Sequence, residues 1–200
     1  QGATSGAITT PAQALAYAVA RMPATYAACT AVFARLEEVM PALAPSSLLD
    51  VGAGTGAASW AAIGQWPGIS VTMLDHNPAL RALARKLSDD GPLARAEILS
   101  GDLKVEKPKA DLVVASYVLA ELSEAQAADA AVDLWRSADM ALALIEPGTP
   151  DGFARIRAAR AALIAAGAHI AAPCTHDNAC PLTGDDWCHF SQRLSRSRDH

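Results

Sequence analysis

A chain of 200 residues with 52% hydrophobic and only 18% charged side chains can bury a sizeable core, which excludes a disordered chain or a long coiled coil. Three Phe and three Tyr stand among abundant Ala, so a core of close-packed helices is expected. The net charge of −5 excludes nucleic-acid binding by the surface as a whole and leaves room only for a local basic patch.

Residues 1–6 read as a leader outside the fold. No apolar stretch of the signal-peptide kind follows Gln1, and the longest uncharged runs contain Gly or Pro or carry helical periodicity. No membrane association is expected. From Pro11 to Met40 the apolar residues Leu15, Val19, Met22, Tyr26, Val32, Phe33, Leu36 and Val39 recur at helical spacing. Pro23 interrupts them and predicts two short helices meeting near Met22. Pro41, Pro45, Ser46 and Ser47 close the segment.

Short apolar runs then alternate with helical stretches. Strands are expected over 48–51, 70–74, 96–100, 111–116 and 140–145, and helices over 57–65, 78–87, 124–137 and 152–167. Such alternation predicts an α/β fold, a doubly wound and mainly parallel sheet with right-handed crossovers. N-terminal helices precede it and a cysteine-rich loop follows. The expected division is a helical segment over 1–45, a cofactor-binding domain over 46–168, and a metal-binding loop with a basic tail over 169–200.

The run Leu48-Leu49-Asp50-Val51-Gly52-Ala53-Gly54-Thr55-Gly56 follows a strand and opens a helix. Gly52 suits a tight turn, Gly54 lets a ligand approach the backbone, and Gly56 lets the helix pack on the strand. The spacing G-x-G-x-G differs from the dinucleotide fingerprint, and there is no phosphate-loop lysine. Asp75 ends the second strand, where a carboxylate can accept from both hydroxyls of a ribose. These residues resemble the class I methyltransferases that bind S-adenosylmethionine. The resemblance implies that Asp50, Gly52, Gly54 and Gly56 surround the methionine part of that cofactor. It implies likewise that Asp75 holds the ribose and that Asp102 contacts the adenine.

Of four cysteines, Cys174, Cys180 and Cys188 lie within fifteen residues, and Cys29 stands alone in an Ala-rich helical stretch that suits a small core residue. The spacing C-x5-C-x7-C suits a metal in a reducing compartment better than disulfides. Three thiolates with His176 or His189 can hold zinc; with a fourth thiolate they can hold a [4Fe–4S] cluster. His189, beside Cys188, is the better histidine, while His169 and His176 read as surface residues.

Four further segments occur in order: 18–26 (AVARMPATY), 116–122 (SYVLAEL), 145–150 (IEPGTP) and 186–191 (DWCHFS). With the glycine turn they resemble the methyltransferase-like family of small ribosomal subunit assembly, which has mitochondrial and bacterial members, over nearly the whole chain. The resemblance implies bound S-adenosylmethionine, a [4Fe–4S] cluster on these cysteines with a fourth further downstream, and the small ribosomal subunit or its rRNA as partner. After the fourth strand, Tyr117 is expected to stack on a base and Glu121 to orient an amine, as the catalytic pair. Their segment lacks the Asn/Asp-Pro-Pro-Tyr loop of amino-directed nucleic-acid methyltransferases. A noncatalytic assembly factor therefore stands beside the rRNA methyltransferase as a reading, with a small-molecule methyltransferase carrying a zinc loop third. Glu146, in a restricted Pro-Gly loop, either lines the acceptor side or belongs to a loop that only turns the chain. Arg193, Arg196 and Arg198 form the densest basic cluster and are expected to touch phosphates. With no presequence in view, a bacterial cytoplasm is the expected home, and a mitochondrial one would need a presequence missing from these residues.

Overall fold

The structure, a computed structural model, describes residues 7–194, so the leader and the tail residues Arg196 and Arg198 lie outside the described residues. The first helix, α1 (Pro11–Val39), opens on a capping box in which Thr10 accepts from the Gln13 amide and the Gln13 side chain bonds back to Thr10. It runs unbroken through Pro23, which corrects the expectation of two short helices. The reason is tertiary. Before the proline Ala14 packs with Leu80, and after it Cys29 and Phe33 pack with Ala58, Ala61 and Ala62. Both halves are pinned, and this burial outweighs one lost hydrogen bond.

Five strands follow: β1 (Ser47–Val51), β2 (Ser70–Asp75), β3 (Glu97–Ser100), β4 (Ala110–Ser116) and β5 (Ala138–Ile145). Between and after them lie α2 (Ala57–Gln65), α3 (Pro78–Ser88), α4 (Glu124–Arg136) and α5 (Pro150–Ala165). All four strand pairings are parallel, in the order β3-β2-β1-β4-β5. The order reverses at β1, so the crevice at the carboxyl ends of β1 and β4 is where an open sheet of this kind receives a ligand. Register brings Val51 beside Leu74 and Ala115, and Ser116 beside Ile145, so β2, β1, β4 and β5 end together on that side of the sheet.

Side chains alternate across the sheet. Leu48, Leu112 and Val114 face the layer of α1 and α2, while Leu49, Val51, Val113 and Ala115 share the other face with Leu134 of α4. Phe33, fully buried, meets Trp66 at 5.4 Å between ring centres and closes the first layer. β5 begins two residues earlier than its apolar run, because Ala138 pairs with Ala110 and exposed Asp139 reaches Lys109 at 3.2 Å. A one-turn 3-10 helix, Leu119–Glu121, precedes α4 and was not evident from periodicity. Gly167, at φ +99°, follows α5, and 168–194 form neither helix nor strand. Among the described residues no helix is long and apolar enough to cross a membrane.

Candidate functional site

The site is built on the turn between β1 and α2. The Gly52 and Ala53 amides both donate to the Leu74 carbonyl, at 2.7 and 3.1 Å, which folds the turn back over β2. Gly52 has φ +68°, and a Cβ there would lie 2.4 Å from Val118 Cγ2. Only glycine fits under Val118. Gly54, at φ +57°, is the opposite case, since a Cβ there meets nothing within 4 Å. Its backbone faces open space, as an approachable ligand loop requires.

Asp75, only 5% exposed at the end of β2, joins this turn. Its Oδ2 accepts from the Gly54 amide at 2.7 Å and its Oδ1 from the Asn77 amide at 2.7 Å, and Arg81 donates to its carbonyl at 2.8 Å. Asp50 is fully buried. Its Oδ2 accepts from the amide and hydroxyl of Ser59 at 3.1 and 2.7 Å, while Oδ1 has no partner among the described residues. Burial pushes its carboxyl up to about 6 against the pull of the Ser59 bonds. Asp50 thus ties β1 to the first turn of α2. Asp102 is exposed one residue beyond Gly101, whose amide donates to the Asp75 carbonyl at 3.2 Å, and its Oδ1 accepts from the Lys104 amide at 2.8 Å in a local turn.

The carboxyl end of β4 supplies the facing wall. Tyr117 holds φ +59°, a left-handed conformation that non-glycine residues avoid, and is 38% exposed. Its amide donates to the Ile145 carbonyl at 2.7 Å. Glu121 ends the 3-10 turn and is exposed. Sequence reasoning placed Glu146 in a rigid loop but did not foresee what it bonds. Its Oε1 accepts from the Leu119 amide at 2.8 Å, its Oε2 is buried without a partner among the described residues, and burial raises its carboxyl to about 7. Through that bond Glu146 holds the turn whose Val118 covers Gly52. Ser59 and Tyr17 also went unrecognised. Tyr17 of α1 has its phenol raised by burial, with Arg21, Asp75 and Glu121 near enough to act on it, so α1 borders the same mouth.

Cys29 is fully buried beside Ser116, with its thiol raised to about 12 by burial, and is a core residue. Cys174 and Cys180 are half-buried, Cys188 is exposed, and all three are free thiols. Among the described residues no three His, Cys, Asp or Glu side chains gather as a metal ion needs. The segment is instead held at other points. His169 Nδ1 lies 2.7 Å from Asp177 Oδ2, Arg160 donates to the His176 carbonyl at 2.6 Å, and Trp187 donates to the Gly148 carbonyl at 3.2 Å.

A family model described as mitochondrial small ribosomal subunit Rsm22 matches residues 11–200. The human protein named ribosome assembly protein METTL17, mitochondrial, is 32% identical over 198 residues, covering 89% of this chain and 43% of that one. Rsm22-cox11 tandem protein 2, mitochondrial, of Schizosaccharomyces pombe is 31% identical over 195 residues, 86% of this chain and 26% of its own length. The chain therefore spans less than half of these relatives. Among solved structures, magnesium protoporphyrin IX methyltransferase of Synechocystis superposes with TM-score 0.50 at 23% identity, over 58% of this chain and 55% of that chain, which shows the fold alone. These relatives, which are named as mitochondrial, overturn the expectation of a bacterial cytoplasm. That expectation leaned on the first residues of the sequence, which say nothing about what precedes them.

Proposed function

The chain belongs to the Rsm22 family of the mitochondrial small ribosomal subunit, and from that premise we propose that it binds S-adenosylmethionine and serves assembly of the small ribosomal subunit through its rRNA. The observation that carries the cofactor half is the pairing of the open Gly54 turn with the Asp75 carboxylate, 2.7 Å apart at the switch point of the sheet. The residues fit such a ligand. Asp75 would exchange the Gly54 amide for ribose hydroxyls, and the amides freed at the turn would meet polar groups of the ligand. The N-cap of α2 is Gly56, which brings no side-chain cap, and the positive end of the helix favours the ligand's carboxylate. Asp50 offers an unpartnered carboxylate oxygen at the base of the same turn. When bound, S-adenosylmethionine supplies an electrophilic methyl group on its sulfonium.

Tyr117 and Glu121 are proposed as the acceptor-side pair. The exposed ring of Tyr117 offers a stacking face and Glu121 an acceptor for an amine. The alternative is a noncatalytic assembly factor that keeps the pocket, favoured by the absence of prolines after Tyr117. Incubating immature and mature small subunits with methyl-labelled S-adenosylmethionine separates the two. Label in rRNA that is lost in Tyr117→Ala supports transfer. Co-sedimentation with subunits and no label supports the assembly factor. Absence of both label and co-sedimentation would refute the proposal.

The cysteines enter the same proposal. Three free thiols are a donor set for iron–sulfur or zinc, and we assign Cys174, Cys180 and Cys188 to a [4Fe–4S] cluster, with zinc as the alternative. From 171 to 190 only Leu182, Trp187 and Phe190 are large and apolar, so the segment has little to offset an ordering cost of about 1–2 kcal/mol per residue. A metal centre would supply those cross-links.

A further inference from the structure

We propose that the outer face of α5, with the segment that folds back along it, is a docking site for the phosphate backbone of single-stranded RNA. The inference rests on the ribosomal reading above and names the surface that would carry it. Phe153, Arg157, Arg160 and Ile164 recur at steps of four, three and four, so they share one face of α5, about 16 Å from end to end. Arg157, Arg160 and Ile164 line one side of a cleft of about 400 Å³. Asp177 and Cys180 line the other side.

Neither guanidinium stands in a salt bridge among the described residues, and Arg160 has Asp177 near enough for the two charges to act on each other. Two other helical arginines stand in ion pairs, Arg35 with Glu38 at 2.8 Å and Arg136 with Asp133 at 2.9 Å, while Arg81, Arg85 and Arg155 donate to backbone carbonyls. Arg160 donates one amino group to the His176 carbonyl, which fixes its plane, and its Nε is buried with no acceptor. Arg157 is exposed and lies 5.6 Å over the ring of Phe153. The one carboxylate in the cleft is already engaged, because Asp177 is bonded to His169 and to the Ile170 amide at 2.9 Å. These bonds, with the charges of His169 and Arg160 beside it, hold it below the usual carboxylate range. An orphaned donor beside a free guanidinium asks for an anion with several acceptor oxygens, which is what a phosphodiester presents.

Two features favour a nucleic acid strand over an isolated phosphate. α5 carries Arg155, Arg157 and Arg160 against Asp151 alone in a chain of net charge −5, while the segment folded back along it carries Asp177, Asp185 and Asp186 against Arg193, so the positive charge is confined to the helix face. At its N-terminal end Trp187 and Phe190 are 41% and 75% exposed, and Trp187 stacks with His189 at 5.7 Å while its indole is fixed to Gly148. Exposed rings next to arginines are how unpaired bases and their backbone are gripped together.

The test is anisotropy of a labelled single-stranded RNA of about 12 nucleotides with the whole chain, titrated with salt, for the unaltered protein, Arg157→Gln, Arg160→Gln and Arg157→Lys. Each Gln variant should weaken binding and lower the slope of log affinity against log salt by about 0.7, while Arg157→Lys keeps the slope. Trp187→Ala should weaken binding without changing the slope. Arg157 is exposed and bonds no backbone, so melting of Arg157→Gln should match that of the parent. Unchanged slopes in both Gln variants overturn the cleft and leave the ribosomal reading intact. So does displacement of the RNA by millimolar inorganic phosphate, which marks a small-anion site. An unaltered chain that binds no RNA yet co-sediments with the subunit overturns this inference alone, and one that does neither overturns both.

Discussion

Gly52 and Gly54 lie two residues apart, both in left-handed backbone, and replacing each by alanine should separate stability from ligand binding. A non-glycine residue in that conformation costs about 1–2 kcal/mol. At Gly54 that is the whole cost, because the new methyl meets nothing within 4 Å. At Gly52 the methyl would stand 2.4 Å from Val118 Cγ2, which sits on a turn pinned by Glu146 and cannot retreat freely. Overpacking of that kind adds about 1–3 kcal/mol. In a chain of this size a kcal/mol moves Tm by about 2–4 °C. Gly54→Ala should therefore melt about 2–8 °C below the parent, and Gly52→Ala further below still. Binding should rank the other way relative to stability. The Gly54 methyl projects into the space a ligand must enter, so calorimetry should show at least a tenfold loss of S-adenosylmethionine affinity in a protein that still melts cooperatively. Undiminished affinity in Gly54→Ala would refute the placement of the cofactor on this turn.

Glu146 has its folded carboxyl raised to about 7 from an ordinary 4.5, so the folded state holds a proton that the unfolded chain releases. Its contribution is fully present below pH 4.5 and is lost as pH rises to 7. The stability of Glu146→Gln relative to the parent should accordingly climb across that window, by at most about 3 kcal/mol, and stay flat above it in denaturant titrations. Ser59→Ala removes a hydroxyl donor from the buried Asp50 carboxylate and should cost about 1–3 kcal/mol by urea unfolding. Phe33→Ala leaves a void between α1 and α2 and should cost about 3–5 kcal/mol by the same measure. Protein prepared without air should carry iron and acid-labile sulfide, both lost in Cys180→Ser; zinc without iron would replace the cluster by a zinc knot.

The glycine turn was legible because its backbone conformations admit few residues other than glycine, and Asp75 because a strand end leaves an acid facing the crevice. Alternating apolar runs placed all five strands, with errors of a residue or two where polar ends such as Asp139 joined the ladder of an edge strand. What was hidden depended on contacts between distant positions. Pro23 reads locally as a break, and only the packing of Ala14 on one side and Phe33 on the other shows why the helix continues. The bond from the Leu119 amide to Glu146 spans 27 residues, and that from Ser59 to Asp50 spans nine, neither with a periodic signature. The cysteine spacing named a donor set without a geometry, since a loop lacking regular structure takes its shape from whatever it binds. The bonds from Arg160 to His176 and from Trp187 to Gly148 likewise join α5 and its leading loop to a segment with no pattern of its own.

The central claim is that Asp75 and the turn at Gly54 together hold S-adenosylmethionine. It is tested most directly by calorimetric titration of that ligand into the unaltered chain and into Asp75→Ala. The account predicts saturable one-site binding to the parent and at least a tenfold weaker signal in the variant, which loses the acceptor for the ribose. Equal affinity in the two proteins, or no heat of binding in a parent that melts cooperatively, would contradict it.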